Sequence, residues 1–275
     1  MKNTYDILAA GSLMVDILAA DLSNISEPSK LTYATTDFME KIGGHPVDVV
    51  IDLAKLGINP KKLAIIGVVG GNKDDFFANY ILSTIKKYGI TTKFIKKIPN
   101  KRTGKNIVLE VKGEDRRFHI SPGANRKLNP QDIIEFLRRY KPKIFSARPC
   151  YTGMDKCMKE IFRTAGSETL KIIDICKPYK IRWDEILPAL EYVDIFHGNE
   201  HETKGITGKK NLDDSIKSLL DKGLELIFIT RGNEGKAELC TCEGTIIKQM
   251  PFDAKSYVPE REALDATGCG DAFCA

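Results

Sequence analysis

The chain has 275 residues, with 42 lysines and arginines against 37 acids, a formal net charge of +5 and 42% hydrophobic residues. That length buries a full core, as one large α/β domain or two smaller ones, and the composition is ordinary for a soluble globular enzyme. The basic excess is small and dispersed, which does not imply nucleic-acid binding, and no uninterrupted apolar run approaches membrane-spanning length.

The first apolar stretch, Ile7–Ala20, is broken by Gly11 and Asp16, and no small-residue cleavage site follows a basic start. It reads as strand–turn–strand rather than a signal peptide. Continuous apolar runs then predict strands at Tyr5–Ala10, Leu63–Val69, Lys143–Ser146, Lys171–Ile175, Val193–Phe196 and Glu225–Thr230, each covered on both faces. Helices are expected between them. In Asp74–Tyr88 the residues Phe76, Phe77, Tyr80, Ile81 and Ile85 recur near helical spacing. Pro130–Tyr140 follows Asn129 as N-cap, and Asp213–Lys222 ends at Gly223, a C-cap signal. The alternation predicts an α/β fold with a doubly wound, mostly parallel sheet.

Two regions break the rhythm. Met14–Lys41 and Thr92–Ile120 are extended and alternating, with turn signals at Pro99-Asn100 and Gly113-Glu114. They are expected to form a small separate sheet, either a lid over a small substrate or an edge sheet that pairs two copies of the chain. The seven cysteines lack disulfide-framework spacing. Cys240-x-Cys242 is too closely spaced for a zinc knuckle, and Cys176, Cys240 and Cys269 lie in apolar or glycine-rich contexts. The expectation is reduced thiols in a cytoplasmic protein.

Several short motifs sit where chemistry is expected. Gly11-Ser12-Leu13-Met14-Val15-Asp16 puts an acid just beyond the first strand, and a carboxylate can accept two hydrogen bonds from a polyol. Gly43-Gly44-His45-Pro46-Val47-Asp48 precedes an amphipathic stretch that ends at Leu56-Gly57. Paired glycines at a helix start let a ligand approach backbone, with His45 and Asp48 as partners for hydroxyls; a hinge with an ordinary polar helix start is the alternative. Asn199-Glu200-His201-Glu202 follows a core strand, so Glu202 suits water-mediated Mg²⁺, while Asn199 suits a plain helix cap. Thr230-Arg231-Gly232-Asn233-Glu234-Gly235 can wrap a nucleotide's phosphates or form a simple turn. Gly205-Ile206-Thr207-Gly208-Lys209-Lys210 has glycines too close together for a P-loop. Most informative is Asp265-Ala266-Thr267-Gly268-Cys269-Gly270-Asp271. Bare glycine amides at a helix start attract an anion, and an adjacent carboxylate can take a proton from an attacking hydroxyl. That is the minimum equipment for phosphoryl transfer to an alcohol.

In this order the motifs resemble the ribokinase-like (PfkB) carbohydrate and nucleoside kinase family, over nearly the whole chain. Gly43-Gly44 with Leu56-Gly57 resembles its N-terminal signature, Asn199-x-x-Glu202 its Asn-x-x-Glu motif, Thr230–Gly235 its nucleotide loop and Asp265–Asp271 its C-terminal signature. Pro122-Gly123-Ala124-Asn125 also recurs in sugar-kinase members. The resemblance implies a single kinase domain over 1–275, a Rossmann-like core with a β-sheet lid, and transfer of the ATP γ-phosphoryl to a hydroxyl with Mg²⁺. It implies Asp271 as catalytic base and Gly268, Cys269 and Gly270 as anion hole. Asp16, Gly43, Gly44, His45 and Asp48 would hold a sugar or polyol. Asn199, Thr230, Gly232 and Gly235 would lie along the nucleotide, with Glu202 organising the metal.

Departures from the family pattern bear on the substrate. Position 48 is usually Asn and here is Asp48, and Asp174-Ile175-Cys176-Lys177-Pro178 is a degraded Asp-x-Asn-x-Arg-Pro segment. The sequence stops at Ala275, C-terminally truncated relative to the family, where the missing segment normally helps cover the adenine. Alternatives of the same fold are a nucleoside kinase, with Tyr33, Phe38 and Phe118 stacking a base, or a sugar-phosphate kinase, with Arg117 and Arg148 on the phosphate. A non-catalytic sugar or nucleotide sensor is a further reading, and ADP is an alternative donor. A dehydrogenase is disfavoured, because no Gly-x-Gly-x-x-Gly follows the first strand.

Overall fold

A computed structural model describes residues 5–112, 114, 116–178, 180–231, 236–243, 246–253 and 269–275. The chain begins β1 (Ile7–Ala10), β2 (Met14–Leu22), β3 (Met39–Gly43), α1 (His45–Lys55), β4 (Leu63–Gly70), α2 (Phe76–Lys87) and β5 (Ile95–Ile98). It continues β6 (Gly104–Val111), β7 (Arg117–Ser121), α3 (Pro130–Tyr140), β8 (Ile144–Ala147), α4 (Met158–Ala165), β9 (Leu170–Asp174) and α5 (Trp183–Ile186). The last described elements are β10 (Ile195–Asn199), α6 (Glu200–Thr207), α7 (Leu212–Leu220), β11 (Leu226–Thr230), β12 (Lys236–Glu243), β13 (Ile246–Asp253) and α8 (Cys269–Phe273).

The larger sheet has the order β13-β12-β11-β10-β9-β8-β1-β4-β5. From β11 to β5 its neighbours pair in parallel, and β12 and β13 extend one edge antiparallel. Side chains alternate between faces with period two. Leu8 and Ala10 with Ile66 and Val68 join one core, which also takes Ile133 and Leu137 of α3 and Ile161 and Phe162 of α4. Ala9 with Leu63 and Ile65 joins the opposite core, with Val47 and Val50 of α1 and Ile81 and Ile85 of α2. Apolar burial on both faces is why these strands are continuous apolar runs.

Local signals set the helix ends, with Asn129 the expected cap of α3, while α7 closes at Asp221 and not at Gly223. Asn129 Oδ1 accepts from Gln131 N at 3.1 Å, with Pro130 in the first turn of α3. Asp75 Oδ1 accepts from Ala78 N at 3.0 Å to cap α2. Gly208 closes α6 at φ 68°, so the Gly205–Lys210 segment is a helix end and not a phosphate loop.

The smaller sheet has the order β3-β2-β6-β7, with β2 and β6 parallel and the outer pairs antiparallel. It is the lid expected from the alternating segments, with one correction. The Thr92–Ile120 region is not all lid, because β5 pairs in parallel with β4 at the edge of the main sheet. Its Ile95-Lys96-Lys97-Ile98 pattern suits an edge strand whose lysines remain in water.

Candidate active site

β1 lies between β4 and β8, so the connections leave it in opposite directions. In open α/β sheets the crevice at such a reversal, beyond the carboxyl ends of the strands, is where ligands bind. A cavity of about 540 Å³ opens there, between the strand ends and the lid. Ser12 follows β1, Arg148 follows β8, Asp174 ends β9, Asn199 ends β10 and Thr230 ends β11, and all of them line it. The lid contributes Asp16 from β2, Asn106 from β6 and Phe118 from β7, while α1 contributes Asp48 and α8 contributes Gly270 and Asp271.

The geometry centres on a buried ionic network. The Arg148 guanidinium pairs with Asp174 Oδ2 and, at 3.1 Å, with Asp271 Oδ1. His45 Nδ1 lies 3.0 Å from both Asp174 Oδ2 and Asp271 Oδ1, and its Nε2 meets Ser146 Oγ at 2.8 Å. On the far side, His197 Nδ1 hydrogen-bonds Asp174 Oδ1 at 2.8 Å. Burial would raise the Asp271 pKa, but Arg148 and the His45 hydrogen bond reverse this, and the carboxyl ionises below its ordinary range. Asp174 is treated the same way: burial opposes ionisation, and Arg148, His197 and His45 overcome it by a wide margin. Burial pulls the His45 pKa down, yet its hydrogen bonds to Asp174 and Asp271 leave the imidazole raised overall.

The two expected glycines have different duties. A side chain at Gly43 would collide with Asp16 Oδ2, so Gly43 makes room for that carboxylate. Gly44 lines the cavity at φ 102°, and a Cβ there would run into the Ser12 carbonyl. His45 is a correction. It is fully buried, lies behind the carboxylates and does not line the cavity, so it supports Asp271 and Asp174 rather than a ligand.

Asp16 Oδ1 accepts from Asn106 Nδ2 at 3.0 Å. Asp48 lines the same cavity as Asp16 and Asp271. Burial, then Asp271 and Asp16, push its pKa well above the usual carboxylate range. Asn199 and Glu202 form a reciprocal capping box at the start of α6: Asn199 Oδ1 accepts from Glu202 N at 2.8 Å, and Glu202 Oε2 accepts from Asn199 N at 3.0 Å. Both still line the cavity, and burial raises the Glu202 pKa. Their oxygen donors fit a hard cation that keeps much of its water. Gly232, Gly235 and Gly268 lie outside the described residues, and Cys269 is described only as the first residue of α8.

Other expectations change. Arg117 faces away from the cavity and pairs with Glu114, because the alternation along β7 turns Arg116, Phe118 and Ile120 inward. Arg148 is committed to two carboxylates. Tyr33 and Phe38 are exposed and do not line the cavity, whereas Phe118 does. Cys150 and Cys176 are joined by a disulfide at the cavity wall, contrary to a wholly reduced set of thiols; Cys157 and Cys274 are free. Sequence reading also missed Asp174 and His197 as site residues. Asp174 heads the altered Asp174–Pro178 segment, which was the available signal, while nothing local marked His197.

The family model for pfkB family carbohydrate kinases matches residues 5–275. The chain belongs to the PfkB family. Among curated PfkB-like relatives, an ATP-dependent 6-phosphofructokinase of Thermoanaerobacterium thermosaccharolyticum is 25% identical, over 98% of this chain and 79% of the relative. A deoxyribokinase of Salmonella typhi is 27% identical, over 98% of this chain and 83% of the relative. The solved Arabidopsis thaliana ribokinase complexed with ribose and ATP superposes with a TM-score of 0.75 at 19% identity, over 98% of this chain and 84% of that one. The ribokinase-like fold, with a parallel sheet and a smaller lid sheet, is thereby established. No helix among the described residues is long and apolar enough to cross a membrane.

Proposed function

We propose that the protein transfers the γ-phosphoryl of ATP to a hydroxyl of a sugar or polyol. The carrying observation is Asp271, held ionised by Arg148 and His45 at the wall of a cavity whose lid side presents Asp16. Such a carboxylate can accept a hydrogen bond from the attacking hydroxyl and take its proton as the O–P bond forms. Asp16 and Asp48 would orient the acceptor, and Gly44 would let it approach the backbone. The Gly268–Gly270 amides would face the moving phosphoryl, and Asn199, Thr230, Gly232 and Gly235 would lie along the nucleotide. Glu202 would hold Mg²⁺ through water, and that ion would neutralise charge on the phosphoryl group. A homodimer through the lid sheet belongs to the same proposal, since that sheet has open edges.

A second reading is an acceptor that already carries a phosphate. It is favoured by Arg116 and Lys177, which line the cavity beside the acids. Incubation with ATP, Mg²⁺ and a panel of sugars, polyols, nucleosides and sugar phosphates, with ADP formation as readout, separates the readings. Asp271→Asn should lower kcat by about 10²–10⁴ with acceptor binding retained. ADP formation that is indifferent to Asp271, or absent with every acceptor, removes the proposal.

A further inference from the structure

Three carboxyl groups, Asp16, Asp48 and Asp271, line one cavity and differ in what holds them. Asp271 has a guanidinium at 3.1 Å and an imidazole nitrogen at 3.0 Å. Asp16 is buried and accepts from the Asn106 amide at 3.0 Å. Among the described residues none donates a hydrogen bond to the Asp48 carboxyl, although it stands in the first turn of α1 and lines the same cavity as the other two. An ionised carboxylate placed there would face two like charges with no hydrogen bond of its own to stabilise it. A protonated one removes the repulsion and gains an O–H donor at the cavity wall.

We propose that Asp48 serves the acceptor site as a neutral carboxylic acid, donating the hydrogen bond that fixes one acceptor hydroxyl while Asp16 accepts from another. This rests on the phosphotransferase reading above. A diol suits the pair, since each hydroxyl both donates and accepts. The charges acting on Asp48 come from several elements: Asp271 on α8 and Asp16 on β2 favour the proton, while Arg148 after β8 and His45 and Lys55 on α1 oppose it. Burial leads, and the net direction is toward the protonated form. Carboxyl groups driven apart in this way in one site take different roles, here Asp271 as base and Asp48 as donor.

The test has two readouts. In protein labelled with ¹³C at the aspartate carboxyl carbons, a resonance with the neutral-acid shift is expected at pH 7 and should be missing from Asp48→Asn. An Asp48 resonance at the carboxylate shift overturns the proposal, whatever the protein phosphorylates. Calorimetric binding of D-ribose, 2-deoxy-D-ribose and D-fructose then reads the contact itself. Asp48→Ala should weaken the best-bound sugar about tenfold, the worth of one hydrogen bond, and Asp48→Asn should recover most of that loss. Wild-type affinity should fall as pH rises above neutrality, while the Asn variant stays flat. An Asn variant as weak as Ala, a pH-independent wild type, or no binding of any of the three sugars each overturns the donor role. Failure of the kinase reading is seen separately, as bound sugar without ADP formation.

Discussion

At the residue scale the site is governed by how Arg148 is shared. Its guanidinium serves Asp174 and Asp271 together, so the proposed base and its support are held ionised by one cation. A carboxylate stabilised in this way holds a proton poorly. That suits a reaction in which the hydroxyl proton leaves late, as charge is already spread over the phosphoryl oxygens. The sign of the pH effect follows. In the proposed reaction the active form of Asp271 is the anion, and activity should be lost as pH falls through its pKa, which lies below the ordinary 3.8. The wild-type profile of kcat/KM should therefore stay flat on the acid side until the protein itself fails. Arg148→Met removes the largest charge that lowers Asp271 and should move the acid limb upward by about one unit or more. Far-ultraviolet circular dichroism at each pH separates this from unfolding, since breaking a buried pair also costs about 3 kcal/mol. An unmoved limb in a folded variant would mean that Arg148 does not set the base.

At the element scale the Arg148–Asp174 pair stands on two neighbouring strand ends, and the chain ties those ends a second time. Cys150 lies two residues beyond Arg148 after β8, and Cys176 lies two residues beyond Asp174 at the end of β9. The disulfide between them closes a sequence separation of 26 residues. In the chain-entropy account a loop of that length contributes about 3–4 kcal/mol. Reduction with dithiothreitol should lower the Tm by about 5 °C or more in scanning calorimetry, and Cys150→Ser should melt low with or without reductant. A variant that melts like the oxidised wild type would show that the bond adds nothing. This element pair also marks where sequence reading stopped. Strands such as Leu63–Gly70 were legible because two-sided burial forces an unbroken apolar run. The edge strand Ile95–Ile98 was not, since half of it is lysine. Asp271, Asp16 and Asp48 were legible from their glycine-rich or helix-start contexts. The links among His45, Asp174, Arg148 and His197 were not, because they join α1, β9, β10 and the turn after β8, and no local spacing encodes that meeting.

At the scale of the whole molecule, function depends on holding two sheets at a fixed separation, because the cavity takes Asp16 and Asn106 from one and Asp174 and Asn199 from the other. The chain crosses from core to lid at Leu13, between β1 and β2, and Asn125 grips that crossing. Its Oδ1 accepts from Leu13 N at 3.0 Å, and its Nδ2 donates to Leu13 O at 2.8 Å. Asn125 is fully buried, in the short helical turn that follows β7, so one amide staples the start of the lid to its exit. The Pro122–Asn125 motif thus has a mechanical reading alongside its resemblance to sugar kinases. Asn125→Ala would strand a buried N–H and a buried C=O, each costing about 1–3 kcal/mol. The loss should not be uniform, because Leu226–Thr230 is separated from β1 by three strands of the main sheet. Native-state hydrogen exchange should show the amides of Met14–Leu22 opening much faster in the variant, with those of Leu226–Thr230 changed only by the global loss. Asn125→Asp, which keeps an acceptor but loses the donor, should fall between Ala and wild type. Equal acceleration of both strands would mean that lid and core open as one unit and that Asn125 is not a hinge clamp.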